Sequence, residues 1–321
     1  MTLDKRELLC ALAAATVWPA FAQSAAWPTR PVRLLVGFPP GSTPDSAARA
    51  IAEPLARLWG QPVVVENKPG AGGNIATQQV ATATDDHTLG VVINGNLTSA
   101  PLLFSKLGYS PAKDLALLSL LTTAPLALVT NPDKPLGEAF FAAARHGGDQ
   151  WNYGSVGIGS VGHLGMELLA SKTGMKAVHV PFQGNPQVIT AMLAGQVQMA
   201  LIPPGLVMPQ VRAGKLKAIG ISGGGRSTLV TDLPPLRDAG VAGFELEVWT
   251  ALVGPASLSR AAMARIAGSV TGVVRDAETR QRLFNAGWQA VGSAPEALTS
   301  RVKAETELLG AIIKSRGIKV E

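Results

Sequence analysis

Hydrophobic and polar positions alternate between two spacings along most of this chain. Short apolar runs such as VRLLVGF, from Val32, predict buried strands. The stretches between them, such as PDSAARAIAEPLARLW from Pro44, have the spacing of amphipathic helices. The order from Val32 to Asn94 is strand, helix, strand, helix, strand, and a second series of this kind begins at Trp151. This order is typical of mostly parallel sheets flanked by helices, and it predicts an α/β fold.

The two series predict two domains. The apolar run 117–129 is the expected first crossing between them, and the run 246–254 is the expected return. Helices predicted at 259–276, 278–286 and 295–314 then complete the first domain. We therefore expect domain 1 at 27–122 plus 249–321 and domain 2 at 123–248, with a ligand site between them at the carboxyl ends of the strands.

The first 22 residues, MTLDKRELLCALAAATVWPAFA, have the pattern of a secretory signal peptide. Lys5 and Arg6 precede a short apolar stretch, and Ala20-Phe21-Ala22 is a small-x-small cleavage site. The stretch is too short for a membrane anchor, which needs roughly 20 apolar residues. A lipoprotein interpretation of Cys10 lacks the small residue expected before it. We expect a periplasmic protein whose single cysteine leaves with the signal, which excludes disulfides and thiol chemistry.

The charge balance favours small anionic partners. The chain has 28 Lys and Arg against 22 Asp and Glu, a formal net charge of +6. These basic residues are scattered, and the densest group is Lys215-Leu216-Lys217. Nucleic-acid binding requires clustered basic residues with exposed aromatics, so no nucleic-acid partner is expected. Steering of small anions fits better.

Two loops at predicted helix starts are the candidate binding elements. Thr43 is a good N-cap and Pro44 suits the first helical position, so the free N–H groups of this helix should face the turn 39–42. Such groups attract anions, and Gly41 lets the backbone come close. The loop 152–160 repeats the arrangement with Gly and Ser residues. Either loop alone could be an ordinary connection, whereas two of them facing each other across a cleft could clamp a dianion.

Patterns for cofactor and metal chemistry are incomplete. Gly157-x-Gly159-x-x-Gly162 matches a dinucleotide fingerprint, but no Asp or Glu lies between positions 168 and 231 to bind a ribose. Four widely spaced histidines lack metal-ligand spacing, and His163 suits a structural hydrogen bond; the four are His87, His146, His163 and His179. We therefore expect no cofactor and no metal.

Patterns for covalent catalysis are also incomplete. Neither Ser155 nor Ser160 lies in a Gly-x-Ser-x-Gly elbow. The adjacent Asp85 and Asp86 are expected in a solvated turn. The remaining alternative is a secreted enzyme that uses Asp45 with Ser155 or His163.

Ordered segments along nearly the whole mature chain carry a family resemblance. They are WPTRPVRLLVGFPPG, GQPVVVENKPGAGGNIA, LGYSPAKDL, LVTNP, NYGSVGIGSVGHLGMELL, HVPFQG, LAGQVQMALIP, AGKLKAIGIS and DLPPLRDAG. With these segments the chain resembles the Bug family, the extracytoplasmic solute-binding receptors of tripartite tricarboxylate transporters. The resemblance implies a two-domain periplasmic binding protein of the type II kind that closes like a Venus flytrap on a small carboxylate. It also implies a monomer that is not an enzyme and that serves membrane transporter subunits or a sensor kinase.

The loops and the resemblance together give the expected ligand-binding residues. They are Phe38, Pro39, Pro40, Gly41, Ser42, Asp45, Asn94, Asn96, Thr98, Ser155, Gly157, Ile158, Gly159, Ser160, His163, Phe182 and Pro203. Three places depart from the family pattern. Phe182-Gln183-Gly184 stands where Tyr and Lys are common, Ile202-Pro203-Pro204 where an aromatic, Asp and Asn are common, and Pro44 where Thr is usual. The distal wall is therefore expected to be apolar, which keeps aromatic acids and monocarboxylates open beside dicarboxylates.

Overall fold

The computed structural model describes residues 27–319. Its strands are β1 (Val32–Val36), β2 (Val63–Asn67), β3 (Thr88–Ile93), β4 (Leu115–Pro125), β5 (Ala127–Thr130), β6 (Asn152–Ser155), β7 (Val178–Pro181), β8 (Met199–Ile202), β9 (Lys217–Ile221), β10 (Glu247–Pro255) and β11 (Gln289–Ala290). Its α-helices are α1 (Thr43–Trp59), α2 (Asn74–Ala81), α3 (Asn94–Leu97), α4 (Ala100–Leu103), α5 (Pro111–Asp114), α6 (Glu138–Gly147), α7 (Val161–Thr173), α8 (Asn185–Leu193), α9 (Pro204–Arg212), α10 (Arg260–Arg275), α11 (Ala277–Asn285) and α12 (Pro295–Arg316). The predicted signal peptide at 1–22 lies outside the described residues.

The strands form two sheets. One has the order β11-β4-β10-β3-β1-β2 and the other the order β7-β6-β8-β5-β9. The predicted α/β class is confirmed. The sheets are mixed rather than mostly parallel, because β10 pairs antiparallel with β3 and β4, and β5 pairs antiparallel with β8 and β9. Strands that carry the chain from one sheet to the other thus run against the strands of the βαβ units.

The apolar run predicted as the first crossing is two strands. β4 ends at Pro125 in the larger sheet and β5 begins at Ala127 in the smaller one, with Leu126 between them. Both strands are largely buried, so no polar residue marks the break. The return crossing, β10, pairs within the larger sheet only. The largest cluster of buried apolar side chains includes residues of both sheets, such as Leu34 and Met199.

The helices α1, α10, α11 and α12 begin within one residue of their predicted starts. α1 begins at Thr43, so Ser42 rather than Thr43 is its N-cap. At its other end, Gly60 takes the left-handed conformation that ends helices. No element was predicted for residues 138–147, which form the helix α6. Its Phe140 and Phe141 are buried.

The two sheet-bearing halves touch at several places. A Cβ added to Gly205, at the start of α9, would lie 2.2 Å from the carbonyl oxygen of Ala286, so only glycine permits this approach. The Ser99 hydroxyl also donates to the Gly159 carbonyl, at 2.5 Å. Among residues 27–319, no helix is both long and apolar enough to cross a membrane.

Candidate functional site

A narrow cavity of about 30 Å³ lies where the two halves meet. It is found at the carboxyl ends of four strands, β1, β3, β6 and β8. These strands belong to the parallel parts of the two sheets, two in each. Ligand sites of α/β folds lie at this edge, because loops and helix starts gather there. Its lining residues are Phe38, Ser42, Thr43, Pro44, Ile93, Asn94, Leu126, Val156, Ser160, Val161, Gly162, Asn185, Leu201, Pro203 and Val248.

Two long helices, one from each half, begin at this cavity. α1 starts at Thr43 and α7 starts at Val161, and both residues line the cavity. Within the described part of the chain, the backbone N–H groups of Thr43, Val161 and Gly162 have no hydrogen-bond acceptor. Free N–H groups and the positive ends of two helix dipoles therefore lie at the same cavity.

The Ser42 hydroxyl is a buried polar group that nothing in the described protein satisfies. Ser42 is the N-cap of α1, but its side chain makes no capping hydrogen bond. Its neighbour Gly41 has a φ of 77°, and the Gly41 N–H donates to the Asp45 carboxylate at 2.9 Å. Buried polar groups normally have partners, so this hydroxyl is available to a ligand.

Asp45 does not line the cavity but stabilises the turn 39–42, which does. Besides Gly41, its carboxylate accepts from Arg49 and from the Asn67 amide. Burial acts to raise the pKa of Asp45, but the hydrogen bonds from Arg49, Asn67 and Gly41 outweigh it and lower that pKa. The charged carboxylate thus fixes the turn 39–42 in place.

A buried aromatic stack supports the second loop. His163 lies 4.2 Å from His179, ring centre to ring centre, and His179 stacks on Tyr153. The Gly159 N–H donates to His163 Nδ1 at 3.1 Å, which requires that this nitrogen be unprotonated. Burial lowers the pKa of His163 to about 4. Burial, together with repulsion from His163, lowers the pKa of His179 to about 3.

Ser155 and His179 form a hydrogen-bonded pair that could be mistaken for a catalytic dyad. Ser155 Oγ lies 2.7 Å from His179 Nε2. However, Ser155 does not line the cavity, and its hydroxyl also accepts from the Gly157 N–H. The pair therefore shapes the loop that leads into α7.

Asn94 lines the cavity and carries a buried acceptor. Its amide nitrogen donates to Glu305 at 2.7 Å and to the carbonyl oxygen of Glu247 at 3.1 Å. Its Oδ1 is buried and has no partner among the described residues. Glu305 also accepts from Trp249 and Arg301. Burial raises the pKa of Glu305 despite these donors.

The structure brings some of the predicted site residues to the cavity. Five line it: Phe38, Ser42, Asn94, Ser160 and Pro203. Three others, Asn96, Ile158 and Gly159, line a smaller adjoining cavity of about 10 Å³. The remaining nine line neither: Pro39, Pro40, Gly41, Asp45, Thr98, Ser155, Gly157, His163 and Phe182.

Several of those nine have evident structural roles. The Thr98 hydroxyl donates to the Asn94 carbonyl, and Thr98 lines a groove beside α12 instead. Phe182 is half-buried and packs against the core of the smaller sheet. Gly157 has a φ of 122°, which favours glycine at this position of the loop.

Sequence reasoning missed most of the lining, and Asn185 is the clearest case. It is the first residue of α8, and its amide donates to the Thr43 hydroxyl at 3.2 Å. An Asn-Pro pair after a strand signals a helix start, so the sequence did contain a signal for this residue. Leu126 lies between β4 and β5, and Val248 lies in β10; no loop motif indicates that these crossing segments contribute to the cavity.

None of the described residues that line the cavity is charged, and nothing there resembles a metal site. Within residues 27–319, no three His, Cys, Asp or Glu side chains come together as metal ligands would.

Comparisons with known proteins agree with this architecture. A family model described as "Tripartite tricarboxylate transporter family receptor" matches residues 47–318. A UPF0065 protein of Bordetella pertussis is 31% identical over 296 residues, which is 91% of each chain. Among solved structures, MatC from Rhodopseudomonas palustris with bound malate has a TM-score of 0.84 and 32% identity, covering 89% of this chain and 100% of MatC. R. palustris Rpa4515 with adipate has a TM-score of 0.87 and 27% identity, covering 91% of this chain and 99% of that one.

Proposed function

This chain belongs to the tripartite tricarboxylate transporter receptor family, and on that basis we propose that it binds a small organic carboxylate in the cavity between its halves. The receptors of this family are periplasmic solute-binding proteins. We propose that this one loses residues 1–22 on export and delivers its ligand to the membrane subunits of a transporter.

The observation that carries the proposal is the set of unused donors at the cavity. The Thr43, Val161 and Gly162 N–H groups and the Ser42 hydroxyl are all available there. A carboxylate oxygen accepts such hydrogen bonds, and two helix N-termini add favourable electrostatic energy. A carboxylate is therefore the ligand group that best matches this lining.

Neutral donors suffice for recognition because the cavity is shielded from water. Hydrogen bonds between a charged acceptor and backbone N–H groups are stronger than those between neutral groups. The formal net charge of +6 would also raise the local concentration of anions around the protein. We propose that the scattered basic residues steer the ligand and that the helix starts hold it.

The remaining lining favours an apolar ligand body. Phe38, Leu126, Leu201, Pro203 and Val248 surround the polar groups. Apolar carbon atoms of a ligand gain free energy when these side chains remove them from water. The cavity of about 30 Å³ would have to widen to admit a short carbon skeleton, aliphatic or aromatic, against these side chains.

We also propose that the two halves are domains that open and close. The proposed division is 27–122 plus 249–321 and 123–248, and its boundaries fall inside β4 and β10, so that residues 123–125 and 247–248 pair within the larger sheet. The contacts between Asn185 and Thr43 and between Ser99 and Gly159 would then form on closure. We propose that the ligand held between the closed domains undergoes no covalent change, so that the protein is not an enzyme.

A thermal-shift screen of mature protein, unfolded and refolded to remove bound ligand, tests the proposal. The probes are mono-, di- and tricarboxylates, aromatic acids and amino acids. A ligand at 100 times its Kd adds about 2.7 kcal/mol of stability, which raises Tm by several degrees. A selective rise for carboxylates supports the proposal. A rise only for uncharged compounds, or chemical conversion of a bound acid on long incubation, would contradict it.

A further inference from the structure

The side-chain amide of Asn94 has one fixed orientation. Its nitrogen donates to the Glu247 carbonyl oxygen at 3.1 Å and to the Glu305 carboxyl at 2.7 Å. A backbone carbonyl oxygen only accepts hydrogen bonds, so the nitrogen must face Glu247 whether or not Glu305 carries a proton. The amide oxygen therefore points away from both partners.

That oxygen is a buried acceptor without a donor. Asn94 is fully buried and lines the cavity, and its Oδ1 has no partner among the described residues. An unsatisfied buried acceptor costs free energy that a donor from a ligand would restore. The other polar groups there, at Ser42, Thr43 and Val161, can all donate.

A carboxylate cannot satisfy both kinds of group. Its oxygens accept hydrogen bonds from the helix starts, but placed against Asn94 Oδ1 they would bring two acceptors together. A ligand that fills the cavity must therefore present a donor as well. Since no described lining residue is charged, a buried ammonium would lack a direct counter-charge, so a neutral hydroxyl is favoured.

We propose, on the premise that the proposed function holds, that Asn94 selects carboxylates that carry a hydroxyl group. Asn94 Oδ1 accepts the hydroxyl proton. Glu247 and Glu305 are positioning residues that keep this oxygen, rather than the amide nitrogen, facing the ligand. Selectivity thus comes from partners of Asn94 that do not line the cavity.

Calorimetric titration with matched acids tests the proposal. The pairs are succinate and malate, glutarate and 2-hydroxyglutarate, propionate and lactate, and phenylacetate and mandelate, with aspartate, alanine and 2-oxoglutarate added. For the skeleton that wild-type protein binds, we expect the hydroxy acid to bind about ten- to a hundredfold tighter than its unsubstituted partner. Each ratio is measured on one protein, so a general loss of stability cancels.

Two variants test the roles of Asn94 and Glu305. In Asn94→Leu the acceptor is gone, and the ratio should fall to within about threefold. In Glu305→Gln the oxygen would stay with the donors Trp249 and Arg301, and the new amide would face Asn94. The Glu247 carbonyl oxygen, which only accepts hydrogen bonds, would still hold the Asn94 nitrogen on its side, so the hydroxyl preference should persist in this variant. Melting curves establish that each variant is folded.

Asn131→Leu is the matched control. The Asn131 amide also donates to a backbone carbonyl, that of Met192, and its Oδ1 also lacks a partner among the described residues. Asn131 does not line the cavity, so its replacement should leave the ratio unchanged.

The outcomes separate this inference from the proposed function. Binding of acids without a hydroxyl preference, or a preference that persists in Asn94→Leu, overturns the role of Asn94 and leaves carboxylate binding intact. Tighter binding of the amino acid than the hydroxy acid overturns the choice of donor. If no acid binds to wild-type protein, the proposed function fails and this inference fails with it.

Discussion

The Asn185 amide donates to the Thr43 hydroxyl at 3.2 Å and joins the first residues of two helices that belong to different sheets. Both side chains are buried and line the cavity. The same residues that border the ligand cavity thus also connect the two halves. Under the proposed closure, we expect ligand binding and closure to be coupled at this point, because a change at either residue would affect both.

Removing this bond should speed ligand release. We expect Thr43→Val, which keeps the shape but loses the hydroxyl, to weaken binding by about three- to tenfold. The loss should appear in the dissociation rate, because the bond exists only when the halves are together. Stopped-flow kinetics measure this. Thr190→Val is the control, because the Thr190 hydroxyl bonds only within α8, to the Pro186 carbonyl. Equal slowing of association in both variants would contradict the coupling.

Ser42 should matter for binding and little for stability. Replacing an N-cap serine by alanine usually costs about 0.5–2 kcal/mol. The Ser42 side chain makes no capping bond, so Ser42→Ala should cost less than about 0.5 kcal/mol. The affinity of the Ser42→Ala variant for the bound acid should fall roughly tenfold, because one hydrogen bond to the ligand is lost. Ser46→Ala, one turn further along α1, removes a bond to the Ser42 carbonyl and should leave affinity unchanged. Denaturant titration and calorimetry together check both numbers.

The conformation of Gly41 should be required for binding. Its φ of 77° is unfavourable for a residue with a Cβ, although the space beside it is open. Gly41→Val should cost about 1–2 kcal/mol of stability and displace the loop, so that ligand affinity drops at least tenfold. Gly60→Val carries the same strain at φ 68° and also meets open space, at the other end of α1. It should lose similar stability and keep its affinity. Equal affinities in the two variants would remove this loop from the site.

The stacked histidines should make the fold less stable in mild acid. His163 and His179 have folded-state pKa values of about 4 and about 3, below the ordinary 6.5. Between those values and pH 6.5 the unfolded chain binds protons that the folded chain does not, so stability falls as the pH falls through this window. The lowered pKa of His163 alone corresponds to about 3 kcal/mol.

Unfolding free energies measured from pH 7.5 to 4 check this dependence. The slope should be smaller in His179→Gln, which removes one of the two groups whose pKa is lowered in the folded chain. An unchanged slope would mean that His179 titrates alike in the folded and the unfolded chain.

The sequence predicted the α/β class and most helices and strands, because the apolar spacing is strong in amphipathic segments such as α1 and α10. It did not predict the break at Leu126, where buried apolar residues continue without interruption. The antiparallel pairing of β5 with β8, and of β10 with β3, also has no local signal in the sequence. Strand direction depends on the path of the chain between the sheets rather than on residue spacing.

The sequence predicted site residues best where their position depends on neighbouring residues of the same segment. The Ser42 and Ser160 positions follow from helix-start patterns that are local. Asn94 was predicted as a contact, but the partner that orients it, Glu305, lies 211 residues away in sequence and could not be inferred. Conversely, Thr98 and Ser155 looked like ligand groups, and their hydroxyls bond to the protein itself.

The most direct test of the account is an amide NMR titration of mature, ligand-free protein with the acid that the thermal screen identifies. The account predicts large downfield shifts of the Thr43 amide proton in one half and of the Val161 and Gly162 amide protons in the other, saturating together at one Kd. Shifts confined to one helix start, or to residues away from both, would contradict a carboxylate held between the two halves.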